Sequence, residues 1–247
     1  MKTCLVVPCY NEAERFPQDV FLSFLASHPN VSLILANDGS RDGTAEMLRS
    51  VQAKAPGQVH LLDRAVNKGK AETVREGMLH ALSLPERPDT IGFWDADLAT
   101  PLSALHDMFP ILEARPEIQM IFGARVNLLG WHIRRQAIRH YLGRVFATAV
   151  SVMLGLGIYD TQCGAKLFRV GPHTQGLFAE PFSSRWVFDV EIIARWIRAN
   201  KFDREKVKTT IYECPLRVWE DVAGSKVKPY DFIKAFLDVL RIYQRYF

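Results

Sequence analysis

Short apolar runs rich in β-branched residues alternate with helix-length amphipathic segments through the first half of the chain. The runs predict strands over residues 3–7, 31–36, 59–62, 91–94 and 120–123, and helices are predicted over 71–84 and 102–114. A further strand is predicted over residues 207–214. This alternation is typical of βαβ units, which predicts an α/β fold with a mainly parallel central sheet flanked by helices. Parallel strands place the loops after their carboxyl ends on one edge of the sheet, where such proteins bind ligands.

Two aspartates one residue apart, Asp95 and Asp97, follow the fourth predicted strand, with Ala96 between them. Alternate side chains of a strand share a face, so the two carboxylates repel each other unless a cation lies between them. Carboxylate oxygens suit Mg²⁺ or Mn²⁺, which leave positions open for phosphate oxygens. The pair therefore predicts a metal that carries a nucleoside diphosphate. Taken alone, Asp-x-Asp is common, and turn chemistry at a strand end is its commoner explanation.

Polar residues also follow the first three predicted strands and should meet the aspartate pair on the same edge. The first two loops can hydrogen-bond a base and a ribose, although Asx turns before Gly39 explain the second loop as well. After the third strand, lysines beside a helix start favour an anion such as pyrophosphate, with solvated lysines as the alternative. The candidate nucleotide-binding residues of these loops are Pro8, Tyr10, Asn11, Glu12, Asp38, Lys68, Gly69 and Lys70.

Composition and motif searches disfavour several other classes of protein. No G-x-G-x-x-G follows the first strand and no G-x-x-x-x-G-K-[ST] occurs, which disfavours a Rossmann site and a P-loop. A net charge of +4 gives no general case for nucleic-acid binding. Four cysteines without C-x-x-C spacing indicate a reduced, cytoplasmic chain. We expect no signal peptide, and no apolar run reaches the ~18 residues of a spanning helix.

One segment, residues 131–144, contains four arginines and two histidines and no acidic residue. It can be a local anion site, a membrane-facing patch or a solvated helix face. An apolar helix follows Arg139, and a second amphipathic helix is predicted over residues 230–247. A basic amphipathic helix is suited to a membrane surface, but packing against the domain fits the same periodicity. The terminal helix can also bind a partner that supplies a membrane anchor.

Four motifs in order resemble glycosyltransferase family 2, whose members have the GT-A nucleotide-binding fold. They cover about the first 125 residues and are Pro8-x-Tyr10-Asn11-Glu12, Asn37-Asp38-Gly39-Ser40-x-Asp42-Gly43-Thr44, Asn67-x-Gly69-Lys70 and Asp95-Ala-Asp97. The second half resembles dolichyl-phosphate glucosyltransferases and their bacterial polyprenyl-phosphate relatives. The segments that carry this resemblance are 160–168, 185–191 and 224–226.

The resemblance implies roles for individual residues. Tyr10, Glu12 and Asp38 would hold the nucleoside. Asp95 would contact ribose or metal, and Asp97 would ligate the metal. The residues implied to hold the acceptor phosphate are Arg125, Arg135 and Arg139. Those implied to contact the donor are Ala96, Gln162, Asp189, Glu191, Trp219, Ser225 and Lys226, with Lys226 on the pyrophosphate in a loop that closes as a lid. Base catalysis by Asp189 or Glu191 and an ordinary mobile loop around Lys226 are the alternatives. The implied catalytic set is Asp97, Arg125, Arg135, Arg139 and Lys226.

Related mannose synthases usually carry Gln where this chain has Ala99, which argues against the mannose branch.

The implied activity is inverting, metal-dependent transfer of glucose from UDP-glucose to a polyprenyl or dolichyl monophosphate at the cytoplasmic membrane face. The alternatives are a soluble or polysaccharide acceptor, a GDP-mannose-dependent synthase, and an inactive membrane-surface binding protein of the same fold. We expect one GT-A domain over residues 1–228 and a terminal amphipathic helix over 229–247. Within the domain, a nucleotide-binding half ends near residue 125 and an acceptor-binding half follows. Peripheral membrane contact is expected.

Overall fold

The structure is a computed structural model. It describes residues 1–127, 129–134, 137–220 and 231–247, without the side chains of residues 134, 137–140 and 231–233. The five strands predicted in the first half of the chain are all present, each slightly longer than expected. In chain order the described strands are β1 (Thr3–Cys9), β2 (Val31–Asp38), β3 (Val59–Arg64), β4 (Thr90–Trp94), β5 (Met120–Ala124), β6 (His132–Arg134), β7 (Ala165–Arg169), β8 (Ile211–Pro215) and β9 (Val218–Glu220).

The two helices predicted in the first half are also present, the second as a 3-10 turn, Leu102–Ala104, that leads into α4. The described helices are α1 (Gln18–Ser27), α2 (Thr44–Lys54), α3 (Lys70–Leu82), α4 (Leu105–Ala114), α5 (Ala137–Leu154), α6 (Thr174–Phe178), α7 (Phe188–Ala199), α8 (Arg204–Thr210) and α9 (Asp231–Tyr246). None of these helices combines the length and apolar composition needed to cross a bilayer.

One predicted strand is wrong over its first half. The run 207–214 suggests a continuous strand, but α8 occupies it up to Thr210 and β8 begins only at Ile211. The Asp203 side chain accepts a hydrogen bond from the Lys206 N–H at 3.0 Å and caps the helix. Val207 and Thr210 are then buried at helical spacing. The helix cap, together with burial of these two side chains on one helix face, outweighs the β propensity of the run.

The first of two compact units comprises Met1–Leu98 and Ala165–Pro181. Its strands lie in the order β3-β2-β1-β4-β7. All neighbours pair in parallel except β7, which is antiparallel to β4. Because β1 lies between β2 and β4, the strand order reverses there. In open α/β sheets ligands bind outside the carboxyl ends of the strands at such a switch point.

Two glycines set how closely elements of this unit approach. A Cβ on Gly77 would lie 2.4 Å from Cγ1 of Val6, so glycine lets α3 pack directly on β1. Gly39 has φ of +63°, and a Cβ there would lie 2.6 Å from the backbone N of Asn67. A side chain at either position would push apart the segments that carry the candidate nucleotide-binding residues.

The second compact unit comprises Ala99–Gly164 and Phe182–Phe247. In it β5 pairs in parallel with β8, and β6 pairs in parallel with β9. α7 is buried along almost its whole length, and α9 packs against it with Val239 and Ile242 buried. All four cysteines of the chain are buried free thiols.

This division differs from the expected one in two ways. The units separate at residues 98 and 99 rather than near 125, because Ala99 and Thr100 are held within the second unit. The Glu220 N–H donates to the Ala99 carbonyl at 3.2 Å, and Thr100 Oγ1 lies 3.8 Å from Cys163 Sγ. The terminal helix α9 is not a separate appendage, since its apolar face is buried in the same unit.

Candidate active site

Backbone-directed hydrogen bonds join the loops after β1 and β2. The Asn11 N–H donates to Ser40 Oγ at 3.0 Å, and Asn11 Oδ1 accepts from the Arg41 N–H at 2.9 Å. The Glu12 N–H donates to Thr44 Oγ1 at 2.8 Å. Asn11 adopts φ of +54°, a left-handed conformation that Asn tolerates better than most residues. These polar residues therefore fix the two loops against each other. Pro8 and Tyr10 are half-buried and lie shortly before Asn11 in the chain.

Glu12 is buried, and its carboxylate forms a two-pronged ion pair with the Arg15 guanidinium. The hydrogen bond to Glu12 raises the pKa of Arg15, and the charge of Asp97 raises it further. Arg15 is therefore a cation held by the loop after β1 whose charge interacts with that of Asp97. The sequence reasoning missed it, although opposite charges three residues apart are a recognisable signal.

Asp38, at the end of β2, is buried and already bonded on both carboxylate oxygens. Oδ1 accepts from the Lys68 N–H at 2.8 Å and Oδ2 from the Gly69 N–H at 2.8 Å. The Arg64 guanidinium donates to Oδ1 at 3.1 Å. This geometry assigns Asp38 the task of shaping the 68–69 turn, and its implied contact with the nucleoside stays a prediction.

The turn that Asp38 holds leads into the N-terminus of α3. Gly69 precedes the helix without a side-chain cap, so the helix presents backbone N–H groups at its start. Lys70 forms an ion pair with Asp95, whereas Lys68 lies 3.4 Å from Glu76. Of the two lysines, Lys70 is the one directed at the aspartate pair.

Asp95 and Asp97 lie half-buried after β4, at the switch point of the sheet. The Leu98 N–H donates to the Asp95 carbonyl at 3.2 Å, and Leu98 itself has φ of +50°. A branched residue in this region is an outlier of the kind that clusters at functional sites. The tight turn keeps both carboxylates at the strand end.

The donor set fits a hard divalent cation. Two carboxylates one residue apart, each with a cationic neighbour, show that the site attracts positive charge. Mg²⁺ and Mn²⁺ take oxygen ligands, and Mg²⁺ usually keeps waters or phosphate oxygens beside one or two carboxylates. Across the described residues, no group of three or more His, Cys, Asp or Glu is arranged to hold a metal.

In the second unit, Arg125 is engaged by another side chain. Its Nε and Nη2 donate to the two oxygens of Asp160 at 2.6 and 2.8 Å, and its guanidinium lies 5.2 Å from the Trp219 ring. Only 12% of the Arg125 side chain is exposed. This geometry favours a positioning role for Arg125 over direct capture of a phosphate.

Asp160 is held in turn by Glu213 of β8. The N–H groups of Tyr159 and Asp160 donate to the Glu213 carboxylate at 2.8 and 2.7 Å. Burial raises the pKa of Glu213 above its usual range, although these hydrogen bonds oppose the shift. The sequence reasoning missed Glu213, because nothing near it in the chain marks its partners. Asp160 also accepts from the Gln162 N–H at 3.1 Å.

The Gln162 side chain is the better-supported donor-sugar candidate of this unit. Its Nε2 is buried and has no hydrogen-bond partner. A buried amide N–H without a hydrogen-bond partner costs free energy, so a bound ligand that supplies an acceptor would be favoured. Thr161 Oγ1 is also buried without a hydrogen-bond partner. Sugar hydroxyls are acceptors of that kind.

Glu191 and Asp189 on α7 are both buried. Glu191 accepts from the Ser183 N–H at 2.7 Å, from Tyr246 Oη at 2.8 Å and from Arg195 at 3.0 Å. Burial and Glu191 raise the pKa of Tyr246. A fully buried carboxylate with these partners fastens α9 to α7, so the geometry does not favour the implied contact of Glu191 with sugar hydroxyls. The remaining implied residues, Arg135, Arg139, Ser225 and Lys226, lie outside the described residues or side chains.

Comparison with known proteins shows similarity over nearly the whole chain. A model of glycosyl transferase family 2 matches residues 4–176. A dolichyl-phosphate beta-glucosyltransferase of Trichomonas vaginalis is 31% identical over 252 residues, covering 97% of this chain and 70% of that protein. The Drosophila melanogaster protein of the same description is 31% identical over 261 residues, covering 100% and 76%. The human one is 29% identical over 264 residues, covering 98% and 75%.

Crystal structures with a similar fold belong to synthases of glycosylated phosphoglycerate. Glucosyl-3-phosphoglycerate synthase of Mycobacterium tuberculosis has a TM-score of 0.67 at 16% identity, covering 98% of this chain and 81% of that one. A structure of this synthase with Mn²⁺, UDP and glucosyl-3-phosphoglycerate has a TM-score of 0.64 at 16% identity, covering 98% and 80%. Identity at this level shows the fold alone, and the fold class predicted from the sequence is confirmed.

Proposed function

The chain belongs to glycosyl transferase family 2 and is a glycosyltransferase, and from that premise we propose that it transfers glucose from UDP-glucose to a polyprenyl or dolichyl monophosphate. The observation that carries the proposal is the pair Asp95 and Asp97 at the switch point of the sheet. It occurs in a chain whose relatives, over nearly its whole length, are named dolichyl-phosphate beta-glucosyltransferases. The complex of a structurally similar synthase with UDP and Mn²⁺ supports the choice of donor and cation.

Asp95 and Asp97 are the residues that would hold a divalent ion. When bound, Mg²⁺ or Mn²⁺ supplies positive charge to the diphosphate that leaves the sugar. Lys70 and the N-terminus of α3 add further positive potential for the same diphosphate. Lys226 is proposed as another diphosphate contact.

The acceptor phosphate needs orientation more than activation. Its second pKa is about 6, so it is largely ionised at neutral pH and attacks without a general base. Direct attack on the anomeric carbon inverts its configuration. Arg135 and Arg139 remain the proposed ligands of this phosphate, since the planar guanidinium suits phosphate oxygens. We propose that Arg125 and Asp160 position the 159–162 turn that carries Gln162.

The alternatives are weaker for specific reasons. Structures of enzymes that use a soluble phosphoglycerate share the fold at 16% identity, whereas the dolichyl-phosphate relatives reach 31%. Ala99 stands where mannose synthases usually have Gln, which disfavours GDP-mannose. An inactive binding protein would have no need to keep both carboxylates.

Donor choice is tested by thermal shift with UDP-glucose, UDP-galactose, GDP-mannose and GDP-glucose, each with and without Mn²⁺. A ligand that binds only the native state raises the melting temperature according to its affinity. We expect UDP-glucose with Mn²⁺ to give the largest shift. A larger shift with GDP-mannose, or equal shifts with chelator, would reject the proposed donor or the metal dependence.

We further propose that α5 and α9 bring the protein to an anionic membrane surface. On α5, Tyr141, Val145 and Val152 are 70%, 61% and 79% exposed. On α9, Leu240 and Tyr243 are about half exposed, beside the exposed bases Lys234, Arg241 and Arg245. No acidic residue occurs between Ile118 and Tyr159. Exposed apolar side chains flanked by bases suit the lipid interface.

The double variant Leu240→Glu, Tyr243→Glu is expected to bind vesicles containing about 30% phosphatidylglycerol about tenfold more weakly, because it removes apolar contact and adds negative charge. Vesicle flotation measures the bound fraction. Val20→Glu on α1, an apolar residue of similar exposure in the first unit, is the control and should bind like the unaltered protein. Equal flotation of all three proteins would contradict this role of α9.

A further inference from the structure

Lys70 and Asp95 form an ion pair at the position assigned to the metal. The Lys70 ammonium contacts Asp95 Oδ1, and the two side chains are 43% and 33% exposed. Lys70 is the first residue of α3, directly after Gly69. The backbone of Lys70 is therefore fixed by the helix, while its partly exposed ammonium can exchange partners.

An ammonium and a divalent cation compete for the same carboxylate oxygen. Both are attracted to it, and they repel each other, so a cation that ligates Asp95 must drive the ammonium away. The charge of the neighbouring Asp97 acts on Arg15, and the Glu12 carboxylate holds Arg15 in an ion pair of its own. Arg15 is anchored in this way, whereas Lys70 is bonded to Asp95 itself. Lys70 is thus the cation that metal binding displaces.

We propose that Lys70 is an internal counter-ion of Asp95 that a divalent cation displaces, and that the released ammonium then binds the donor diphosphate at the N-terminus of α3. This inference rests on the proposed function. It predicts opposite effects of Lys70 on two ligands. The ammonium weakens metal binding in the absence of donor, and it strengthens donor binding once the metal is present.

Lys70→Met tests both effects. The variant should bind Mn²⁺ about fivefold more tightly than the unaltered protein in the absence of nucleotide, which is the scale expected for loss of a partly exposed ion pair. Electron paramagnetic resonance of the unbound Mn²⁺ measures this affinity. UDP binding in saturating Mn²⁺, measured by calorimetry, should weaken about tenfold, because a charge-assisted contact to phosphate is lost. Lys2→Met is the control, since Lys2 forms an exposed ion pair with Glu86 at 2.8 Å and belongs to no candidate site. It should change Mn²⁺ binding less than twofold.

Mn²⁺ binding that is unchanged or weaker in Lys70→Met, with the circular dichroism spectrum retained, overturns the inference. Lys70→Gln guards against a local packing effect of methionine and should behave the same way. Failure of the unaltered protein to bind Mn²⁺ at all would instead reject the proposed metal dependence. The two failures are therefore distinguishable.

Discussion

Replacing Asp97 with alanine is expected to lower the rate of glucosyl transfer about 10³-fold. The carboxylate lies at the end of β4 with Arg15 as its cationic neighbour, and it is half-buried rather than part of the apolar core. Loss of a group that supports charge development at the leaving diphosphate typically costs several kcal/mol of transition-state stabilisation. The free energy of unfolding should change by less than about 1 kcal/mol, because Asp97 is half-buried at a strand end and lies outside the apolar core.

The matched control is Asp89→Ala. Asp89 lies just before β4, and its carboxylate accepts from the Lys2 N–H at 2.8 Å at the opposite end of the same strand. Transfer by this variant should stay within about twofold of the unaltered rate. Full activity of Asp97→Ala in chelator-free buffer would remove the aspartate pair from the mechanism.

Replacing Glu191 with alanine is expected to destabilise the protein by about 3–5 kcal/mol. The variant leaves the Arg195 guanidinium buried without its carboxylate and removes the acceptor of Tyr246 Oη. The Ser183 N–H loses its partner as well. A buried charge left uncompensated is among the costliest outcomes of a point substitution. Urea unfolding followed by circular dichroism measures the change.

Glu205→Ala provides the comparison, because Glu205 forms an exposed pair with Lys208 and its side chain is 84% exposed. Exposed pairs contribute about 1 kcal/mol at most. An unaltered unfolding free energy for Glu191→Ala, together with a raised KM for UDP-glucose, would restore the sugar-binding role that the family resemblance implies. Both measurements use the same purified variants.

The parallel strands and their loops could be predicted from the sequence because their signals are local. Apolar runs mark β1 to β5, and Asp95 with Asp97 follows one of them directly. Because the loops after the carboxyl ends of parallel strands lie on one edge of the sheet, the sequence also predicts which loops meet there. The antiparallel strand β7 has no such signal, since the direction of a strand depends on the neighbour it meets.

Side-chain roles in the second unit could not be predicted because their partners are distant in the chain. The expected contact of Arg125 with a phosphate stays a prediction, but its partner Asp160, which Glu213 holds through its backbone, was not foreseen. The expected contact of Glu191 with sugar likewise stays a prediction, but its hydrogen bonds with Tyr246 and Ser183 were not foreseen. A motif identifies which residues are present, and only the packed chain determines which of their oxygens and guanidinium groups are already bonded.

Transfer of radiolabelled glucose from UDP-glucose to a polyprenyl phosphate in detergent, with Mn²⁺ and then with excess chelator, tests the central claim most directly. We expect labelled lipid only in the presence of the metal, and labelling about 10³-fold slower with Asp97→Ala in Mn²⁺. Labelling that persists at full rate in chelator, or its absence in Mn²⁺ from a protein that binds UDP-glucose, would contradict metal-dependent transfer to a lipid phosphate.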